Sequence, residues 1–286
     1  MTEEIFMDAR AVGCPMAREV LSILDSGEYQ AASGGRVSIR EEQAAAEAGT
    51  RLYSPEELAA LTGGEGAPGR AAPPVEIVAA TTQEAAHELA AFGVTLLNFA
   101  SARNPGGGFI GGAKAQEEDI CRCSGLYRAL LRQPRYYEIN RAQPSALYTD
   151  YQIFSPGVPF FRVASKAPLL ERPFLASVIT APAPNAGAML KNQPEEIPLL
   201  RETFVRRWKN VLAVAADTGA RVLLLGAWGC GAFHNDPVLV AETAKSVIET
   251  SPHAAALERI VFSIPSFKSS APNLKVFREI FGVEGR

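Results

Sequence analysis

Several things are scarce in this sequence of 286 residues, and each scarcity excludes something. It has only four cysteines, Cys14, Cys121, Cys123 and Cys230, too few and too irregular for a disulfide framework. Positive charge is not in excess. The 28 Lys and Arg face 31 Asp and Glu, a net charge of -3, so there is no broad basic field for duplex DNA. No apolar run reaches the roughly 18 residues of a membrane span, so no membrane partner is expected. The opening residues, Met-Thr-Glu-Glu-Ile-Phe, are acidic and lack a secretory signal pattern, which makes a reducing cytoplasm the expected compartment. Internal repeats, long low-complexity segments and any Ser/His/Asp or Cys/His order are also missing. Cys121-x-Cys123 has no second pair or histidine at zinc spacing. It reads as helix packing, and no metal is expected.

What is present suits a globular chain: 47% hydrophobic residues and a mean hydropathy of +0.02. The length allows one large domain or two small ones. Residues 1–70 read as a mainly helical extension. Apolar positions Ala11, Val12, Met16, Val20, Leu21 and Leu24 repeat with a helical period. A short strand is expected over residues 37–40. A helix follows over 41–48, and another opens at Ser54-Pro55-Glu56-Glu57, with a Ser cap, Pro at the first position and Glu at the third. Residues 63–74, rich in Gly, Pro and Ala, read as a linker or surface loop. Residues 71–286 read as the core, and both parts are expected to form one compact unit.

In that core strands alternate with helices. Strands are expected over 75–78, 94–99, 174–180, 221–226 and 259–264, with a short strand pair at 151–154 and 160–163. Helices are expected from the capping box Thr81-Thr82-Gln83-Glu84 to about Ala91, from residue 120 to near Gln133, and over 197–217, 237–250 and 273–281. Residues 134–150 read as irregular. The alternation implies an α/β layered fold with a largely parallel or mixed sheet.

The chain is organised around residues 104–119. Five of the seven positions 106–112 are glycine, and Glu117, Glu118 and Asp119 follow as consecutive acids. The loop leaves a buried strand and enters a helix. A second glycine loop, Gly226-Ala227-Trp228-Gly229-Cys230-Gly231-Ala232-Phe233, also leaves a buried strand and precedes a helix. In α/β sheets such loops gather at the carboxyl ends of strands, and glycine lets backbone N–H groups approach a phosphate. Two of them point to one shared ligand site.

Gly106-x-Gly108-x-x-Gly111 has the spacing of a dinucleotide fingerprint, but five residues, Ala100 to Asn104, separate it from its strand. The acid expected about 20 residues on is missing. No Gly-Lys-Ser/Thr closes a P-loop either. Acids at a helix start complement the helix dipole, so a structural reading of Glu117, Glu118 and Asp119 stands beside a catalytic one. Beside a phosphate cradle, acid–base cleavage of a glycosidic or phosphoester bond is the functional reading. His234 reads as a hydrogen-bonded structural residue, with contact to a ligand as the alternative, Phe233 as either a core anchor or a ring against a sugar or base, and Arg206, Arg207 and Lys209 as a solvated helix face.

Gly106-Gly107-Gly108, seven residues, then Gln116-Glu117-Glu118 resembles the signature of poly(ADP-ribose) glycohydrolases. Leu97-Asn98-Phe99-Ala100, Asn104-Pro105-Gly106-Gly107-Gly108-Phe109, Ala181-Pro182-Ala183-Pro184-Asn185 and the second glycine loop resemble the bacterial (microbial-type) branch. The likeness runs from about residue 8 to the C-terminus. It implies a macrodomain-like mixed sheet sandwiched between helices, with an N-terminal helical extension. It implies hydrolysis of ribose–ribose O-glycosidic bonds in poly(ADP-ribose), or on ADP-ribosylated proteins, with ADP-ribose as the product ligand and no cofactor. Glu118 is then the catalytic acid and, as carboxylate, the base. Glu117 binds sugar hydroxyls beside it. Asn104, Gly106, Gly107, Gly108, Gln116, Gly229, Cys230, Gly231, Ala232 and Phe233 contact the substrate, and Phe267 is the candidate ring for adenine. A non-catalytic ADP-ribose reader with the same loops is the alternative. So is an enzyme of free dinucleotides.

Overall fold

The computed structural model describes residues 14–64 and 71–283. Ala11 and Val12 of the expected first helix, and residues 65–70 of the expected linker, lie outside the described residues. In chain order the elements are α1 (Pro15–Ser26), β1 (Glu28–Gln30), β2 (Arg36–Ser38), α2 (Arg40–Gly49), β3 (Arg51–Tyr53), α3 (Pro55–Thr62), β4 (Val75–Val78), α4 (Thr82–Leu89) and β5 (Val94–Phe99). They continue as α5 (Gln116–Cys123), α6 (Leu126–Leu131), α7 (Pro134–Ala142), β6 (Gln152–Phe160), β7 (Phe174–Ala181), α8 (Ala186–Asn192) and α9 (Leu200–Asp217). The last are β8 (Val222–Leu225), α10 (Pro237–Thr250), β9 (Arg259–Ser263) and α11 (Ala271–Phe281).

A seven-stranded mixed sheet in the order β3-β6-β7-β5-β8-β9-β4 carries the fold. Strands β7, β5, β8, β9 and β4 run parallel, while β6 and β3 form an antiparallel edge. The central strands are nearly continuous apolar runs because helices cover both faces. Leu96 and Val178 face one hydrophobic cluster, with α1, α5 and α6; Leu97 and Ile179 face the other, with α9 and α10. This is the macrodomain-like α/β arrangement.

Locally encoded elements sit where expected. Thr81 caps α4 through a reciprocal capping box with Glu84, and Ser54 does the same for α3 with Glu57. Asp236 caps α10 by accepting from the Val238 N–H, with Pro237 at the first position.

Several expectations are corrected. The pair 151–154 and 160–163 is one strand, β6, with a bulge between Ser155 and Val158. Ser-Pro-Gly reads as a turn, but Pro156 and Gly157 (φ 52°) occupy the bulge, where a missing N–H and a left-handed residue are tolerated. Residues 134–150 are not wholly irregular: Pro134 starts α7, which buries Tyr136, Tyr137 and Asn140. The helix after the acids breaks at Ser124-Gly125 into α5 and α6. The first 70 residues also contain strands, and β3 joins the main sheet beside β6.

Arg207 is not on a solvated face. It is 1% exposed on the inner side of α9, with Thr203, Phe204, Asn210 and Val211 at helical spacing around it. Its guanidinium donates to Asp150 Oδ1 at 3.0 Å and to the carbonyls of Pro182, Leu147 and Tyr148. A buried charge survives only when so fully paired. Among the described residues no helix is long and apolar enough to cross a membrane.

Candidate active site

The parallel strands β7, β5, β8 and β9 end at one rim of the sheet, so the loops after them meet there. The loops after β5 and β8 touch at their roots. A Cβ on Gly226 would lie 2.8 Å from the Phe99 ring, closer than any side chain tolerates.

The first loop folds on itself by short-range bonds. The Gly107 N–H donates to Asn104 O, Phe109 N–H to Gly106 O and Gly111 N–H to Gly108 O, each at 3.0 Å. Phe109 anchors it, fully buried against Tyr127 at 5.2 Å between ring centres. Gly107 has φ 58°, and a Cβ there would lie 2.3 Å from Glu118 Oε1 and 3.1 Å from Glu117 Oε2. Only a residue without a side chain lets the backbone lie against both carboxyls.

The three residues opening α5 are each tied to a different part of the rim. Gln116 accepts from the Phe99 N–H at 2.8 Å and donates to Leu97 O at 2.8 Å and Thr82 Oγ1 at 3.1 Å. Its amide is spent within the protein, fastening α5 to β5 and α4. Glu117, 2% exposed, accepts from Asn98 Nδ2 at 3.2 Å and the Ser101 N–H at 2.6 Å. Glu118, 7% exposed, accepts from the Gly108 N–H at 2.8 Å through one oxygen. Its other oxygen accepts from the Ala115 N–H at 2.9 Å. Ala115 has no side-chain acceptor, so only the returning half of a capping box exists here. Asp119 turns away to Gln83, Arg122 and Ser165, a structural role.

Burial pushes the Glu117 carboxyl up from 4.5 to about 8; the Ser101 and Asn98 donors oppose this and the neighbouring Glu118 adds to it. A carboxyl with a raised folded value keeps its proton where the unfolded chain has lost it. Stability conferred by that proton is full below about pH 4.5 and falls as pH rises towards 8, at most about 1.4 kcal/mol per pH unit. We expect the urea midpoint of the wild-type protein to drop between pH 5 and 8 more steeply than that of Glu117→Gln. Parallel pH profiles would mean that Glu117 is ionised in the folded state.

The second loop is clamped by Asn235, whose side chain donates to Gly229 O at 3.0 Å and to Pro184 O at 2.8 Å in the loop after β7. Trp228 pins its base, buried 4.8 Å from Trp208 and 5.9 Å from Phe204. Gly229 turns with φ 74° where a Cβ would strike Asn235 and Ala183. Among the described residues, the N–H groups of Gly229, Gly231, Ala232 and Phe233 have no acceptor, and Gly231 and Ala232 face solvent. The Cys230 N–H between them donates to Ala227 O at 3.1 Å. Four free amides within five residues of one glycine loop suit an anion cradle.

The remaining expected residues lie around this centre. Asn104 is exposed in the first loop. Cys230 is half-buried, and burial pushes its thiol up, which makes it unreactive. Phe233 is half-buried, with its ring 6.2 Å from Tyr148. His234 has a left-handed backbone, φ 55°, and its ring lies against Gly187; among the described residues its side chain makes no hydrogen bond, so the expected structural bond is not found there. Phe267, 63% exposed, follows β9 at the same rim. Cys121 and Cys123 are buried in the core, as their packing role requires. The sequence assigns no role to Ser101 and Asn235, and none to Asn98 beyond its place in the motif that carries the resemblance. The signal for Asn98 was an amide inside an apolar strand, which buries at a cost unless bonded.

Fold and site together define a macrodomain-like protein with an anion cradle and a fixed carboxyl beside it. The family model "microbial-type PARG, catalytic domain" matches residues 17–163. A poly(ADP-ribose) glycohydrolase from Thermomonospora curvata is 41% identical with a TM-score of 0.87, covering 93% of this chain and 97% of that one. The same organism's enzyme bound to the inhibitor ADP-HPD gives 40% and 0.85, covering 92% and 97%. The glycohydrolase from Deinococcus radiodurans in complex with ADP-ribose gives 42% and 0.78, covering 84% and 97%. No curated protein sequence matches significantly. This chain belongs to the microbial-type poly(ADP-ribose) glycohydrolase family.

Proposed function

We propose that one carboxyl, Glu118, carries both proton transfers as this glycohydrolase cleaves poly(ADP-ribose). The reaction of the family is hydrolysis of glycosidic bonds in that polymer. The observation that carries the single-residue scheme is the pinning of both Glu118 oxygens between the glycine loop and the start of α5. Glu117 is instead held inward by Asn98 and Ser101.

Glycosidases usually set two carboxyls on opposite sides of the scissile bond. Neighbouring residues on a helix point about 100° apart and cannot do so symmetrically. The scheme is therefore sequential. Glu118 gives its proton to the leaving 2′ oxygen as the C1″–O bond breaks and an oxocarbenium-like ribose forms. As carboxylate it takes a proton from water, whose oxygen bonds to C1″, and its acid form returns. The free amides of Gly229, Gly231, Ala232 and Phe233, with Gly106 to Gly108, hold the diphosphate, whose charge near C1″ stabilises the developing cation.

Phe233 braces the terminal ribose, Asn104 reaches its hydroxyls, and the Glu117 carboxyl, protonated at neutral pH, orients a sugar hydroxyl. Gln116 acts through the backbone it fastens, and Phe267 supplies a face for adenine. Residues 71–286 carry all these contacts. Residues 1–70 support them, since α1 packs on α5 and on the turn of the first loop. ADP-ribosylated proteins are the wider substrates, in the cytoplasm and during the response to DNA damage. Release of ADP-ribose from purified polymer, lost on replacing Glu118, tests this reading. Tight polymer binding without release by the wild-type protein would make it a reader instead.

A further inference from the structure

A cavity of about 470 Å³ opens beside the second loop, walled by Arg103, Tyr148, Asn185, Ala188, Asn192 and Gln193. None of these residues belongs to the diphosphate cradle or to the Glu117–Glu118 pair. Yet the cavity shares a neighbour with the cradle, through Tyr148 and Phe233, and lies within reach of the carboxyls. Arg103 is four residues before Gly107, at most about 14 Å along the chain from the carboxyls that Gly107 covers. Tyr148 stands against Phe233, so the cavity shares a wall with the proposed ribose brace.

That wall is rigid. Gln193 accepts from the Ala146 N–H and donates to Pro144 O, both at 2.9 Å. The Asn185 N–H donates to Ala146 O at 2.9 Å. Buried Arg207 grips Leu147 O and Tyr148 O at 2.6 and 3.1 Å. Tyr148 is thereby kept at φ 61°, a left-handed backbone that is unfavourable for an aromatic residue. Strain of this kind persists where surrounding bonds enforce it, and it concentrates at ligand sites.

The mouth is basic although the protein carries a net charge of -3. Arg103 is exposed and, among the described residues, has no ion pair; Arg141 donates to its carbonyl at 2.7 Å. An aromatic residue, the Arg103 guanidinium and the Asn192 amide in a cavity of this size suit a nucleoside diphosphate, with Arg141 beside Arg103 at its edge.

We propose that this cavity is a subsite for the leaving part of the polymer, the ADP-ribose unit across the scissile bond from the terminal one. The inference rests on the glycohydrolase reading above. Tyr148 offers its ring to the adenosine, and Arg103 and Arg141 meet the phosphates. The free product ADP-ribose fills the cradle but leaves this cavity alone, so the subsite strengthens binding of polymer without strengthening retention of product.

The test compares wild-type, Arg103→Glu and Arg103→Lys proteins in three measurements: KM on long poly(ADP-ribose), affinity for free ADP-ribose, and turnover of ADP-ribose carrying a small phenol at C1″. The phenol leaving group is too short to enter the cavity. Arg103→Glu is expected to raise the polymer KM about 5- to 20-fold, less at high salt, with Arg103→Lys intermediate. ADP-ribose affinity and phenol release should stay at wild-type values. An unchanged polymer KM overturns the proposal. So does an equal loss in all three measurements, which would place the cavity in the terminal unit's own site. Failure of the glycohydrolase reading looks different, because the wild-type protein would then release nothing from polymer.

Discussion

Glu118→Gln should slow ADP-ribose release from poly(ADP-ribose) by about 10³-fold or more, with affinity for ADP-ribose within a few-fold of wild type. General acid–base catalysis contributes roughly 10²–10⁴ in rate, and here one group acts in both steps. The amide matches the carboxyl in size and keeps one oxygen for an N–H donor. It cannot deliver or take the proton. Both Glu118 oxygens accept backbone N–H groups, from Gly108 and Ala115, so the amide nitrogen must face one of those donors. A lost bond costs about 1 kcal/mol of stability, too little to unfold the protein. Glu118→Ala removes both bonds and should lose as much turnover with a larger stability loss. Kinetics of ADP-ribose release and calorimetric binding separate the two effects. Normal turnover in Glu118→Gln would remove this residue from the chemistry and leave Glu117 or a bound water to be tested.

Gly107→Ala should cost at least about 10²-fold in turnover, although it adds one methyl group. The position has φ 58°, and the new Cβ would fall 2.3 Å from Glu118 Oε1 and 3.1 Å from Glu117 Oε2. Either the loop or the carboxyls must move, and a shift of about 1 Å at a reacting group is enough for such a loss. Left-handed strain adds about 1–3 kcal/mol of destabilisation, visible in a urea midpoint. Gly111→Ala is the matched control, because among the described residues nothing lies within 4 Å of its Cβ position and no left-handed φ is involved. It should behave as wild type. Equal activity in the two variants would mean that contact with Gly107 does not hold the catalytic carboxyl in place.

What could be read from the chain beforehand was whatever local chemistry determines. Apolar runs marked β5, β7, β8 and β9 because parallel strands covered on both faces carry little polar interruption. Ser54, Thr81 and Asp236 marked helix starts because a cap is written within four residues. The glycine loops and the Gln116-Glu117-Glu118 run were visible for the same reason.

Tertiary pairing hid the rest. The three-residue strands β1 and β3 exist because of their partners, not their own propensity. Pro156 and Pro159 disguised β6, since a bulge is recognised only when the neighbouring strand is known. The inward turn of Arg207 follows from Asp150, 57 residues away. Gln116 stood with the ligand-binding residues in sequence, yet its partners are Phe99, Leu97 and Thr82, which no local pattern reveals. The division of labour between adjacent Glu117 and Glu118 likewise depends on Asn98 and Ser101 on one side and Gly108 on the other.

The most direct measurement is a crystal structure of the Glu118→Gln protein with ADP-ribose bound. The account predicts the diphosphate against the amides of Gly229 to Phe233 and the side chain of residue 118 within about 3.5 Å of the reacting C1″ centre or its hydroxyl oxygen. A nucleotide bound away from the two glycine loops, or a residue 118 side chain facing bulk water, would contradict it.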